Sequence, residues 1–221
     1  MSLASRKRLG ILISGRGSNM QAFIQACEKR LLNADIAVVI SNNPDAAGLE
    51  LAKEAGIATQ AVDHRQFESR EAFDAALVEC LQAHRVDLVI LAGFMRILTP
   101  TFISPYAGRL LNIHPSLLPK YPGLNTHQRA LDAGDGEAGV TVHFVTPELD
   151  GGPPILQARV SIEPDDTAET LASRVISKEH SIYPLAASWF VDERLSLKGG
   201  KACLDGEALG PRGLDYASYL H

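Results

Sequence analysis

Cysteine is scarce in this chain: three in 221 residues, Cys27, Cys80 and Cys203, widely separated and with no C-x-x-C among them. That excludes a dithiol redox pair and a zinc knuckle, and it suits apolar packing in a reducing compartment. No apolar run approaches the roughly 18 residues of a membrane span, and no secretory apolar segment opens the chain. Basic clusters are missing too. Beyond RKR at 6–8 there is no Lys/Arg-rich patch, and the formal charge is −5, so phosphate tracking along a nucleic acid is not expected. No two histidines have the H-x-x-x-H spacing of helical metal ligands. G-x-S-x-G is absent, which sets aside a hydrolase built on Ser116. These absences leave a cytoplasmic, metal-free globular protein, acting as a monomer or a homodimer on small molecules, with no membrane or nucleic-acid partner.

What is present is a rhythm of buried strands and helices. LGILIS (9–14) is an apolar run closed by Gly15, and Met20, Phe23, Ile24 and Cys27 follow at helical spacing. IAVVIS (36–41) ends in the turn residues Asn42, Asn43 and Pro44. Helices are expected over 46–55 and 70–84, a short strand near 58–62, and strands at 87–93 and 109–114. Strands that are apolar throughout indicate a parallel sheet covered on both faces. After residue 120 the pattern changes. A helix near 126–133 precedes VTVHFVT (140–146) and ILQARVSI (155–162), which read as an antiparallel pair. A long helix is expected over about 167–181, with Pro184 interrupting before a further helical segment, and the stretch beyond Lys198 is expected to lie on the surface. The fold class is therefore α/β: one domain over 1–221, with an open, twisted, mostly parallel but mixed sheet, helices on both faces and a Rossmann-like N-terminal half.

Three constellations carry chemistry. SGRGSN (14–19) joins a strand to a helix; its glycines turn the chain, Ser18 is a candidate cap, and free N–H groups at a helix start attract an anion. The third glycine of G-x-G-x-x-G is replaced by Met20, and Asn42 and Asn43 stand where a ribose-binding acid belongs, so a nicotinamide cofactor is disfavoured. AGFMRILTP (92–100) follows a strand end, where open α/β sheets gather ligands. In NIHPSLLP (112–119), Asn112 and His114 stand two apart in an extended chain and project to one side. Asp150, in ELDGGP (148–153), is a candidate partner whose carboxylate would favour the protonated imidazole. An amide beside an imidazolium can stabilise an oxyanion and move a proton. His143 reads as a packed strand residue, and His64, His84 and His127 as residues of polar faces.

With ISGRGSN, SREAF, LAGFMRIL, LLNIHPSLLPKYPG, VHFVTPELDGGP and KEHSIYP assembled, the chain resembles the folate-dependent formyltransferases, and among them those acting on glycinamide ribonucleotide. The resemblance runs from about residue 8 to the tail. It implies transfer of a formyl group from 10-formyltetrahydrofolate, as co-substrate, to the amine of glycinamide ribonucleotide in purine synthesis, with no metal and no nicotinamide. It implies Asn112, His114 and Asp150 as catalytic residues. Gly17, Ser18 and Asn19 would hold the ribonucleotide phosphate, and Ile176, Ser177, Lys178 and Glu179 would approach the same substrate. Arg70, Met95, Arg96, Ile97, Leu98, Asn112, Thr146, Pro147, Glu148, Leu149 and Asp150 would frame the folate. A tRNA-directed formyltransferase would need a further carboxyl-terminal domain, and a formyltetrahydrofolate hydrolase a domain ahead of the strand at residue 9. A phosphometabolite-binding module is separated from an enzyme by whether Asp150 reaches His114.

Overall fold

In the computed structural model, which describes residues 5–221, the first apolar run forms β1 (Lys7–Ile13). It is followed by α1 (Ser18–Glu28), β2 (Ala34–Ser41), α2 (Ala47–Glu54), β3 (Thr59–Ala61), α3 (Arg70–Ala83), β4 (Leu88–Leu91) and α4 (Pro100–Ile103). β1 pairs in parallel with β2 and β4, and β2 with β3, giving the order β3-β2-β1-β4. Leu9, Ile11, Leu12 and Ile13 are all fully buried, as are Val38, Val39 and Ile40, so successive side chains on opposite faces are covered. This is the Rossmann-like half expected from the sequence, and it makes up a compact unit running to Leu111.

β5 (Leu110–His114) carries the chain into a second unit, which begins at Asn112. Here α5 (Thr126–Asp132) precedes β6 (Glu137–Phe144) and β7 (Pro154–Ser161), which pair antiparallel as expected. The register slips between Val142 and His143. Such a bulge turns a strand locally and re-aims a side chain.

Two expectations are corrected. Pro184 does not interrupt the long helix: α6 runs unbroken from Ala168 to Val191. Proline leaves the carbonyl four residues back without its helical partner. The helix persists because Leu171, Val175, Ile182, Tyr183, Ala186, Ala187 and Trp189 form an apolar stripe buried along it. Its start is fixed by a reciprocal cap between Thr167 and Thr170. The stretch beyond Lys198 is also more than a surface run. β8 (Leu195–Lys198), β9 (Lys201–Leu204) and β10 (Glu207–Ala208) form an antiparallel meander with Ala202 and Cys203 buried. β11 (Leu214–Asp215) adds a parallel strand beside β7, and α7 (Tyr216–Tyr219) sets Tyr219 edge-on to Trp189.

Candidate active site

At the end of β5, His114 is buried and its ring is held from both nitrogens. Nε2 lies 2.8 Å from the Tyr121 carbonyl oxygen, which can only accept, so Nε2 carries a hydrogen. The exchangeable position is therefore Nδ1, which faces the Asp150 carboxylate at 3.5 Å. Asp150 is itself largely buried and takes a second contact, a 2.8 Å hydrogen bond from the Gly123 N–H. The pairing expected from the sequence is present. Asp150 adopts a left-handed backbone, φ 51°, uncommon for a residue with a side chain, and it stands at the tip of the loop between β6 and β7.

The neighbour on the other side is His143, which the sequence presents only as a strand residue. It is 2% exposed, and burial pushes its imidazole below the ordinary histidine value. Its Nδ1 donates to the Phe144 carbonyl at 2.8 Å, leaving Nε2 as an acceptor. The Asn112 amide nitrogen approaches that Nε2 at 3.4 Å, which orients the amide and leaves its second N–H for another acceptor. The imidazole of His143 feels the charges of both Asp150 and His114, so these three groups form one electrostatic cluster beside the Asn112 amide. The sequence signal for His143 was an ionisable residue inside the buried part of a strand. Ser116 is structural: its hydroxyl is buried and donates to the Lys120 carbonyl.

In the first unit, the turn after β1 places Gly17 at φ 70° as the cap of α1. Ser18 is the first helical residue rather than the cap, because the left-handed step that ends the turn is one glycine supplies without strain. With no capping side chain, the first-turn N–H groups and the helix dipole suit an anion. Ser14 to Asn19, with Ala92, Gly93 and Met95, line a hollow of about 320 Å³. Asn42, standing where a dinucleotide fold would carry its ribose acid, accepts from the Ser14 hydroxyl at 2.5 Å. Ser14 in turn accepts from the Met95 N–H at 2.8 Å, and the Asn42 amide meets His64 Nδ1 at 3.2 Å. His64 is thus half-buried and tied to Asn42 rather than spread on a polar face. Arg70 donates to the Ile97 carbonyl at 2.7 Å and fixes the 95–98 loop from outside. In that loop Met95 is 70% and Ile97 60% exposed, while Leu98 is buried, so two apolar side chains stand open to a ligand. Arg96 is half-exposed between them.

The remaining expected residues separate. Thr146 and Asp150 are partly covered, whereas Pro147, Glu148 and Leu149 are exposed along the loop. Ile176 to Glu179 lie on consecutive positions of α6, and the helix turns them apart. Ile176 is exposed, Glu179 buried, and Ser177 hydrogen-bonds the Arg174 carbonyl. Lys178 lines a separate hollow of about 340 Å³ with Arg159, Asp215 and Tyr216. Ile176 and Glu179, three apart, share one face of the helix, while Ser177 and Lys178 stand off it. His127 is half-buried, with its Nδ1 in contact with no hydrogen-bond partner among the described residues. No group of three or more potential metal ligands occurs among the described residues, and no helix there is long and apolar enough to cross a membrane.

Residues 7–187 match the formyl transferase family, and the chain belongs to that family. Within it, the chain is 55% identical over 203 residues to the phosphoribosylglycinamide formyltransferase of Escherichia coli (strain K12), covering 92% of this chain and 96% of that one. It is 50% identical to the enzyme of the same name from Haemophilus influenzae, over 94% of this chain and 98% of the relative. A solved phosphoribosylglycinamide formyltransferase from Coxiella burnetii superposes with a TM-score of 0.92 at 49% identity, covering 96% of this chain and all of that one. That likeness carries the fold class as well: α/β, with a mixed, mostly parallel sheet.

Proposed function

We propose that this chain transfers the formyl group of 10-formyltetrahydrofolate to the amine of glycinamide ribonucleotide, yielding the formylated ribonucleotide and tetrahydrofolate for purine synthesis. The observation that carries the reading is the buried His114–Asp150 pair, 3.5 Å apart, beside an Asn112 amide oriented by His143. The substrate amine attacks the formyl carbon, and negative charge gathers on the formyl oxygen. The free N–H of Asn112 and the Nδ1–H of His114 stabilise that charge. The amine nitrogen then gives up a proton, the bond to the folate nitrogen breaks, and that nitrogen takes a proton. His114 Nδ1, backed by the Asp150 carboxylate, is the group placed to pass it. One preorganised donor of this kind contributes about 3 kcal/mol to the barrier.

The uncapped start of α1, with Gly17, Ser18 and Asn19, takes the ribonucleotide phosphate. Met95 and Ile97, with the 146–150 loop, supply apolar and backbone contacts to the folate, and Arg70 acts by holding the 95–98 loop. The whole of 1–221 serves as one catalytic domain, working in the cytoplasm on small molecules. The test is to mix protein, glycinamide ribonucleotide and 10-formyl folate and follow deformylated folate by absorbance. Release that requires the ribonucleotide supports the transferase. Release at the same rate without the amine means hydrolysis, and no release from protein that still binds folate means a binding module.

A further inference from the structure

Both members of the catalytic pair lean on one short turn. Tyr121 offers its carbonyl to His114 Nε2, and two residues on, Gly123 offers its N–H to Asp150, each at 2.8 Å. The turn is not a relaxed one. Tyr121, Gly123 and Asn125 all have positive φ, 54°, 82° and 56°, and for a bulky aromatic such a backbone is an outlier. Strained backbone persists only where its surroundings over-determine it.

Those surroundings are specific. The Tyr121 hydroxyl donates to Asp135 Oδ2 at 2.8 Å, and the Lys120 ammonium meets both Asp135 oxygens at 3.0 Å. The Arg129 guanidinium stacks over the Tyr121 ring at 5.1 Å from its centre. The same guanidinium donates to the carbonyls of Pro122, at 2.6 Å, and Leu124, at 3.2 Å. One arginine thus grips the turn through its ring and through the carbonyls on either side of Gly123. The Tyr121 phenol is held above its ordinary value and the Asp135 carboxyl below its own, chiefly by the bond between them.

We infer that Asp135 and Arg129 are positioning residues for catalysis, acting through the Tyr121–Gly123 turn, which holds the His114 imidazole and the Asp150 carboxylate in register. This rests on the formyl-transfer reading of the site only for its kinetic readout. The Lys120–Asp135 pair is open to solvent on its lysine side and partly covered on its aspartate side, so the urea midpoint is measured beside kcat to separate a merely structural role from a positioning one.

The experiment uses the full chain carrying Asp135→Ala, Asp135→Asn, Arg129→Ala or Arg129→Lys. It measures kcat, KM for each substrate, the urea midpoint, and the imidazole ¹⁵N–¹H spectrum of His114 without ligands. Asp135→Ala and Arg129→Ala should each lower kcat on the order of tenfold, the effect of a sub-ångström misplacement, with both KM values within about twofold. The His114 Nε2–H signal should lose the single hydrogen-bonded environment that the Tyr121 carbonyl gives it. Asp135→Asn keeps an acceptor for the Tyr121 hydroxyl and should return most of the activity. Arg129→Lys keeps the charge but not the forked donor, and should not. Folded alanine variants with wild-type kcat and an unchanged His114 spectrum overturn the inference, as does a rise in KM alone. If wild-type protein proves unable to transfer formyl while the variants still disturb the His114 Nε2–H signal, the turn's role stands and the reaction reading falls.

Discussion

Replacing Gly152 by alanine should cripple turnover far more than it weakens the fold. A Cβ built at Gly152 lies 1.8 Å from the Phe144 carbonyl oxygen, 1.2 Å short of the 3.0 Å that real Cβ contacts keep. The oxygen cannot retreat freely, because it accepts the His143 Nδ1–H at 2.8 Å, and the Phe144 N–H is bonded to the Pro153 carbonyl. The loop carrying Asp150, two residues before Gly152, is the part that must move. A shift of about 1 Å separates the Asp150 carboxylate from Gly123 and His114, a misplacement that costs on the order of a hundredfold in rate. Overpacking of this kind costs about 1–3 kcal/mol of stability. Gly151→Ala is the control: the three atoms nearest its Cβ all belong to the side chain of Glu148, an exposed residue that can swing aside. Steady-state kinetics and urea unfolding of both variants provide the assay. A Gly152→Ala enzyme that keeps kcat within about twofold of wild type refutes the reasoning.

His143→Phe should lower kcat about tenfold with little change in KM for the ribonucleotide, because the Asn112 amide loses the acceptor that orients it; wild-type turnover would remove His143 from the account. Burial pushes the Cys27 thiol up to about 11, so at pH 8 iodoacetamide should alkylate it roughly a hundredfold more slowly than an ordinary exposed thiol, as peptide mass spectrometry would report. His143 and His127 both titrate below their ordinary value, chiefly through burial. Their contribution is complete above about pH 6.5 and is lost as the unfolded chain gains protons that the folded chain refuses. The urea midpoint should therefore fall from pH 7.5 to 5.5, with His143 alone contributing up to about 1.4 kcal/mol per pH unit, and a flat profile would contradict this.

How much of this was legible in the sequence depends on the distance over which each feature is decided. The strands of the first unit were readable because Leu9–Ile13 and Val38–Ile40 are apolar at every position, which only a sheet covered on both faces requires. Asn112 and His114 were readable because a two-residue step in a strand is geometry, and Asp150 because D-G-G-P marks a tight loop. His143 was not, since its role depends on a register slip against β7 that no local pattern announces. Pro184 misled because the local rule against interior proline is overridden by a buried stripe running the length of α6. The run from Ile176 to Glu179 was read as one segment from its motif, and a helix keeps Ile176 and Glu179 of the four on one face. The tail reads as surface from its glycines and prolines, yet the two residues of β11 pair beside β7 through backbone bonds that composition does not encode.

The central claim is that His114, held at Nε2 by Tyr121 and facing Asp150 through Nδ1, lowers the barrier to formyl transfer rather than merely binding substrate. The direct measurement is single-turnover formyl transfer by folded His114→Ala protein, alongside folate and ribonucleotide binding by calorimetry. Binding should stay within a few-fold of wild type and the transfer rate fall by a hundredfold or more, on the order of the loss of one oxyanion donor. A variant that binds and transfers at close to the wild-type rate would contradict it.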